Sequence, residues 1–213
     1  MKIVIIGGST SGTICAWELR KLNKEHEITI VEESSNYQYS PCAMPYVISS
    51  QITRDNIMLL SKKDYDDNNI TILNNTFTTK ILSNQNKLLI KSANEEKNID
   101  YDVLVLAMGS VPFNPGINIS TNNYSYFKTI QDMDKIIEDT KNKENITIIG
   151  AGFIGVETAH ALKSIGKKVT LIEAKDQILP VMLDKDMASI FEEYLEEHFK
   201  IFRKSLEKSE DGR

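Results

Sequence analysis

The sequence predicts an α/β fold: two parallel-sheet domains in tandem, with a small antiparallel β-meander in the first. Three observations carry this. Near the N-terminus an apolar run, Val4-Ile5-Ile6, ends in Gly7-Gly8-Ser9-Thr10-Ser11-Gly12, a helical pattern follows, and a second apolar run ends in Glu32. The same order returns later: Ile146–Ile149, then Gly150-Ala151-Gly152-Phe153-Ile154-Gly155, a helical pattern, and a strand-like run ending in Glu173. Between them lie short β-like runs separated by Asn- and Ser-rich turns. Strand, glycine turn, helix, strand and terminal acid are the parts of a Rossmann-like dinucleotide site. The turn lets the backbone approach a pyrophosphate at a helix N-terminus, and the acid takes ribose hydroxyls. The second copy is a full G-x-G-x-x-G; in the first, Ser9 stands at the middle glycine and Gly8 precedes it.

Composition sets the broad class. The chain has 213 residues, 41% hydrophobic and 26% charged, ordinary for a soluble globular protein. A net charge of −5 without a basic stripe argues against a nucleic-acid partner. No apolar run has the length of a membrane span. The first residues already read as strand, so no leader is expected. With only Cys15 and Cys42 a disulfide framework is not expected, and the expected location is cytoplasmic.

In order, residues 2–6 read as a buried parallel strand and 11–23 as a helix, capped by Thr10 or Ser11, with Ile14, Trp17 and Leu22 toward one face. Cys15 in this helix reads as a small buried hydrophobe. Residues 27–32 form the second strand, with Glu32 at its carboxyl end, where ligands of open α/β sheets bind. Pro41 and Pro45 bracket Cys42 at the start of a short helix, whose positive end favours thiolate. On residues alone, Cys42 reads equally as a reactive or a structural thiol. Residues 53–68 are polar and helical at most. Ile70–Leu73, Phe77–Leu82 and Lys87–Lys91 read as the antiparallel meander. Asp102–Met108 is again a buried strand, followed by a boundary near 110–125 rich in Pro, Gly, Asn and Ser. The predicted domains are therefore 1–115 and 116–213. Thr129–Lys143 reads as an amphipathic helix with Ile130, Met133, Ile136 and Ile137 inward. In the second copy a helix runs to Ile165, with Gly166 as its cap, and 168–172 is a strand. Asp184–Phe199 reads as a further helix and Ile201–Leu206 as the start of a strand.

Two fingerprints in one chain imply two dinucleotides. Together with Gln38-Tyr39-Ser40-Pro41-Cys42-Ala43-Met44-Pro45-Tyr46 and Leu106-Ala107-Met108-Gly109-Ser110-Val111-Pro112, they make the chain resemble the pyridine nucleotide-disulfide oxidoreductase family. Within it, the chain is most similar to the single-cysteine branch of CoA-disulfide reductases, NADH oxidases, NADH peroxidases and persulfide reductases. The resemblance implies an FAD-binding domain over 1–115 and an NAD(P)H-binding domain over 116–213. It implies FAD contacts at Gly7, Gly8, Ser9, Gly12, Glu32, Thr78, Ala107 and Gly109. It implies nicotinamide-nucleotide contacts at Gly150, Gly152, Phe153, Ile154, Gly155 and Glu173. Cys42 and Glu157 take the catalytic positions, although Glu157 also reads as a helix-surface acid and Thr78 as a plain strand residue. A carboxylate at Glu173 repels a 2′-phosphate, so NADH is favoured over NADPH, a preference tempered by Lys175.

The cysteine pattern separates the branches. Dithiol members carry a second cysteine five residues after the first, where this chain has Val47, and a C-x-x-C would need one at Pro45. A single thiol can form a mixed disulfide, a persulfide or a sulfenic acid. The resemblance therefore implies an oxidoreductase in which electrons pass from NAD(P)H through FAD to the sulfur on Cys42. The acceptor would be a CoA disulfide, a persulfide, or oxygen or peroxide. Gln38 and Met108 depart from the family's usual serine and threonine. The family's later Gly-Asp motif and dimerisation domain have no counterpart in these residues, so the chain looks like roughly the N-terminal half of such an enzyme. Completion by a missing half or by a homodimer partner, weak FAD retention and a tendency to associate are expected. The alternatives are a truncated or split-gene fragment that binds nucleotide without turnover, and a cysteine-independent flavin reductase of electron-transfer proteins.

Overall fold

The computed structural model describes residues 1–114, 116–117 and 123–203. Their packing divides them into two compact units, one of residues 1–40 and 55–111, the other of 41–54 and 112 onward. Residues 41–54, which a linear division at 115 leaves with the first domain, pack with the second unit. The terminal part of the predicted Ile201–Leu206 strand and the last residues lie outside the described residues.

In the first unit, β1 (Lys2–Ile6), α1 (Thr10–Leu22) and β2 (Glu27–Val31) form the expected β-α-β start. After a one-turn 3-10 helix, Pro41–Ala43, and α2 (Met44–Ile48), both in the second unit, come α3 (Lys62–Asp67), β3 (Ile70–Leu73), β4 (Phe77–Leu82), β5 (Lys87–Lys91), β6 (Glu96–Asp100) and β7 (Val103–Leu106). The main sheet runs β3-β2-β1-β7, all parallel. Successive strand residues face opposite sides of it. Ile3, Ile5, Ile28, Ile30 and Ile70 pack with Ala16 of α1 and Tyr65 of α3. Val4, Ile6 and Val31 pack with Leu88, Ile90 and Tyr101 on the meander side. The meander is the antiparallel sheet β4-β5-β6, with a register shift between Thr78 and Lys80.

Three expectations are corrected here. Ile70–Leu73 is not part of the meander: β3 pairs in parallel with β2, Ile28 opposite Ile70, and the third meander strand is β6. Ile70 is buried there against the helical layer. The inward face of α1 is Gly12, Thr13, Ala16 and Arg20; Ile14 and Leu22 are exposed, and Trp17 lies edge-on to Tyr65 at the margin. Small residues let the helix approach the sheet, and this decides the face against hydrophobicity alone. The helix cap is Ser9, one residue before the predicted pair. Cys15 packs half-buried against the core.

In the second unit, α4 (Ile130–Thr140), β8 (Asn145–Ile149), α5 (Phe153–Ser164), β9 (Lys168–Ile172), α6 (Lys185–Glu196) and β10 (Lys200–Phe202) follow. The sheet order is β10-β9-β8, parallel throughout. A capping box opens α4: the Thr129 hydroxyl accepts from the Asp132 amide, and the Asp132 carboxylate accepts from the Thr129 amide. Ile130 and Met133 are buried, whereas Ile137 is exposed. The carbonyls of Lys163 and Leu162, at the end of α5, accept from the amides of Gly166 and Lys167. Helix α2 packs against α4 and α5. Among the described residues, no helix is long and apolar enough to cross a membrane, and no acidic, His and Cys cluster could hold a metal ion.

Candidate functional site

Each unit carries a glycine turn at a helix start, and the two share their glycine conformations, strand-end amide bonds and acid contacts. Gly7 and Gly150 have φ of 101° and 102°, in the left-handed region that favours glycine. Their amides donate to the last residue of the neighbouring strand, Gly7 to Val31 (2.8 Å) and Gly150 to Ile172 (2.7 Å). Five residues on, a Cβ built on Gly12 would lie 1.8 Å from the Gly7 carbonyl oxygen, and one on Gly155 would lie 1.9 Å from that of Gly150. Only glycine permits this closeness between turn and helix. The helix caps, Ser9 and Gly152, share φ of −76° and extended ψ. Neither turn is closed by a side-chain cap; the cap carbonyls of Ser9 and Gly152 accept from the Thr13 and Val156 amides (both 3.0 Å).

The acids stand where the sequence places them, at the carboxyl ends of β2 and β9. One oxygen of Glu32 accepts from the Gly8 amide and the other from the Ser34 amide (2.8 Å). Glu173 repeats this with Ala151 (2.8 Å) and Lys175 (2.9 Å). A carboxylate offers about four acceptor positions, so each acid retains capacity for two hydroxyl donors.

The turns differ in their surroundings. A Cβ on Gly7 would lie 2.2 Å from the Ala107 carbonyl oxygen, because β7 returns beside β1 and the Ala107 amide donates to Ile6 (2.8 Å). Gly109 follows with φ of 68°. A Cβ on Gly152 would meet nothing within 4 Å. Residues 73–76 run beside the Glu32 end of β2, with the Thr76 amide donating to the Glu32 carbonyl (3.0 Å). Just beyond, on β4, the buried Thr78 Oγ1 has no hydrogen-bond partner among the described residues.

Cys42 lies in the 3-10 turn Pro41–Ala43, exposed, ahead of α2, with Met44, Pro45, Val47 and Ile48 buried behind it. Helix α2 is only five residues long, so its dipole is short. Phe153, Ile154 and Glu157 are exposed on α5. The structure thus brings together the Gly7–Gly12 turn, Glu32, Ala107 and Gly109 in the first unit. In the second it brings together the Gly150–Gly155 turn and Glu173.

Sequence reasoning missed two groups beside these turns. In the first unit the buried Thr13 hydroxyl donates to the Gly8 carbonyl (2.8 Å) and meets the Tyr65 hydroxyl (3.0 Å). Burial holds the Tyr65 phenol above its ordinary pKa. In the second, the Leu179 amide donates to the Ala151 carbonyl (2.8 Å), with Leu179 at φ of 46°. Neither partner could be read from local spacing.

A family model described as pyridine nucleotide-disulphide oxidoreductase matches residues 1–205. An NADH oxidase of Methanocaldococcus jannaschii is 38% identical over 217 residues, covering 98% of this chain and 48% of that protein. A coenzyme A disulfide reductase of Staphylococcus aureus is 31% identical over 199 residues, covering 87% and 43%. The solved structure of an NAD-dependent persulfide reductase from A. fulgidus superposes with a TM-score of 0.91 at 31% identity, covering 95% of this chain and 39% of that one. The chain spans about half the length of the curated relatives it matches. The chain belongs to the pyridine nucleotide-disulphide oxidoreductase family.

Proposed function

We propose that the chain is the dinucleotide-binding part of an FAD-dependent NAD(P)H oxidoreductase that serves a thiol-linked acceptor through Cys42. The observation that carries this is the repeated turn: two helix N-termini, each opened by a left-handed glycine and flanked by an acid clamped to the turn. One such turn is common in α/β proteins. Two in one chain, with an exposed cysteine between them, match the chemistry named for the relatives: NADH oxidation and CoA-disulfide or persulfide reduction.

The residues fit the two cofactors. In the first unit, Gly7, Gly8, Ser9 and Gly12 would hold the FAD pyrophosphate, and Glu32 its adenosine ribose. The orphaned Thr78 oxygen would face the adenine side, and Ala107 and Gly109 the segment leading to the flavin. In the second, Gly150, Gly152, Phe153, Ile154 and Gly155 would hold the pyrophosphate of NADH, with open space at Gly152 for its approach. Glu173 would accept ribose hydroxyls and disfavour a 2′-phosphate, so NADH is preferred over NADPH. Bound FAD would supply two-electron transfer between the nicotinamide and sulfur.

The chain's own part is binding, orientation and a thiol. The turn amides neutralise pyrophosphate charge. Cys42, exposed on its 3-10 turn, offers its sulfur to a CoA disulfide, a persulfide or an oxygen-type acceptor. Glu157, exposed on the first turns of α5, would serve the nicotinamide side of the site.

The test is Cys42→Ser. NADH-dependent reduction of coenzyme A disulfide should fall to background, while FAD and NADH affinities stay within about twofold. Unchanged reduction would replace this reading with a cysteine-independent reductase.

A further inference from the structure

The second residue of each turn, Gly8 or Ala151, is held at both ends of its backbone. Its amide is bound by the strand-end acid, Glu32 or Glu173. Its carbonyl is bound as well, but by unrelated means. In the first unit the donor is the Thr13 hydroxyl, which is buried and in contact with the Tyr65 hydroxyl. The position matching Thr13 in the second unit is Val156, which has no hydroxyl to offer. There the Ala151 carbonyl is met by the Leu179 amide, from the loop between β9 and α6. That loop is held in two further ways. Leu179 sits at φ of 46°, a costly conformation for a bulky residue. The preceding amide, Ile178, donates to the buried Glu192 carboxylate (2.7 Å), which also accepts from Arg203 (2.7 Å).

A planar trans peptide sets its carbonyl and its amide N–H in opposite directions. Fixing the Gly8 carbonyl toward the protein therefore turns the Ser9 N–H outward, and fixing the Ala151 carbonyl does the same for Gly152. Amides at this place are those that would face an anion bound at the helix start. We propose that Thr13 with Tyr65, and Leu179 with Glu192, are positioning residues that aim these amides at the two pyrophosphates. The inference rests on the dinucleotide reading of the turns. It adds that each unit aims its amide by a separate device, so the two cofactor affinities can be changed one at a time.

The experiment titrates the full chain with FAD and, separately, with NADH, following flavin fluorescence and NADH fluorescence. Thr13→Val should raise the FAD dissociation constant roughly fivefold to tenfold and leave that for NADH within about twofold; Thr13→Ser, which keeps the hydroxyl, should restore it. Glu192→Leu should weaken NADH by a similar factor and spare FAD, and Glu192→Gln, which keeps an acceptor oxygen for Ile178, should restore it. Where Glu192→Leu does not fold, the Thr13 arm alone decides. If wild type binds both cofactors and Thr13→Val changes neither affinity, or both equally, the positioning role is overturned while the dinucleotide reading stands. A wild-type chain that binds neither cofactor overturns both.

Discussion

At the scale of single residues, the turns divide their glycines into those the fold requires and those a ligand requires. Gly7 combines a left-handed φ with a Cβ direction blocked 2.2 Å away by the Ala107 carbonyl. Gly7→Ala should therefore lower unfolding stability by on the order of 2–4 kcal/mol, read by thermal or denaturant unfolding. Gly152 has φ of −76° and open space where a Cβ would go. Gly152→Ala should leave stability within about 0.5 kcal/mol yet weaken NADH at least about tenfold, because the methyl occupies the pyrophosphate approach. Unchanged NADH affinity would remove Gly152 from the pyrophosphate approach, and a stability loss would show that the fold itself requires glycine there. Ser9 is the matching position in the first unit, with the same φ of −76° and extended ψ, so backbone conformation alone does not require glycine there.

At the scale of elements, Arg20 joins the ends of several segments. Buried on α1, it donates to the carbonyls of Asn23, Lys24 and His26 after its own helix, and of Asn68 and Asn69 between α3 and β3. Arg20→Met keeps much of the side-chain length but leaves these carbonyls without their donor. It should cost about 2–4 kcal/mol in denaturant unfolding, and a cost under about 0.5 kcal/mol would remove Arg20 from this role. The α/β class, both fingerprints, both acids and the strands from β1 to β9 other than β3 and β6 were legible, because each has a local signature: an apolar run, a glycine at a forced turn, a carboxylate at a strand end. The pairing of β3 was not. A short Ile70–Leu73 run has the same pattern in a parallel edge strand as in a meander, and only its partner β2 distinguishes them. Hydrophobicity alone misplaces the inward face of α1, because Gly12, Thr13 and Ala16 are the residues packed inward. The carbonyl donors Thr13 and Leu179 carry no local signal, since Tyr65 lies 52 residues from Thr13 and a left-handed leucine has no sequence mark.

At the scale of the whole molecule, the chain is two compact units, each with its own parallel sheet, glycine turn and acid. The cysteine-bearing segment 41–54 interrupts the first unit in sequence and packs with the second, its helix α2 against α4 and α5. The Arg54 guanidinium and the Asp134 carboxylate on α4, 3.1 Å apart, help hold the end of that segment. Cys42 lies in the 3-10 turn Pro41–Ala43 ahead of α2, outside both glycine turns in sequence. The central claim is that both turns serve one electron path. It is tested most directly by the visible absorption spectrum of the freshly purified chain, with FAD added if it is colourless, before and after NADH. The account predicts a bound-flavin spectrum that bleaches when NADH is added. A chain that stays colourless after FAD is added and the excess removed, or a bound flavin that NADH leaves oxidised, would contradict it.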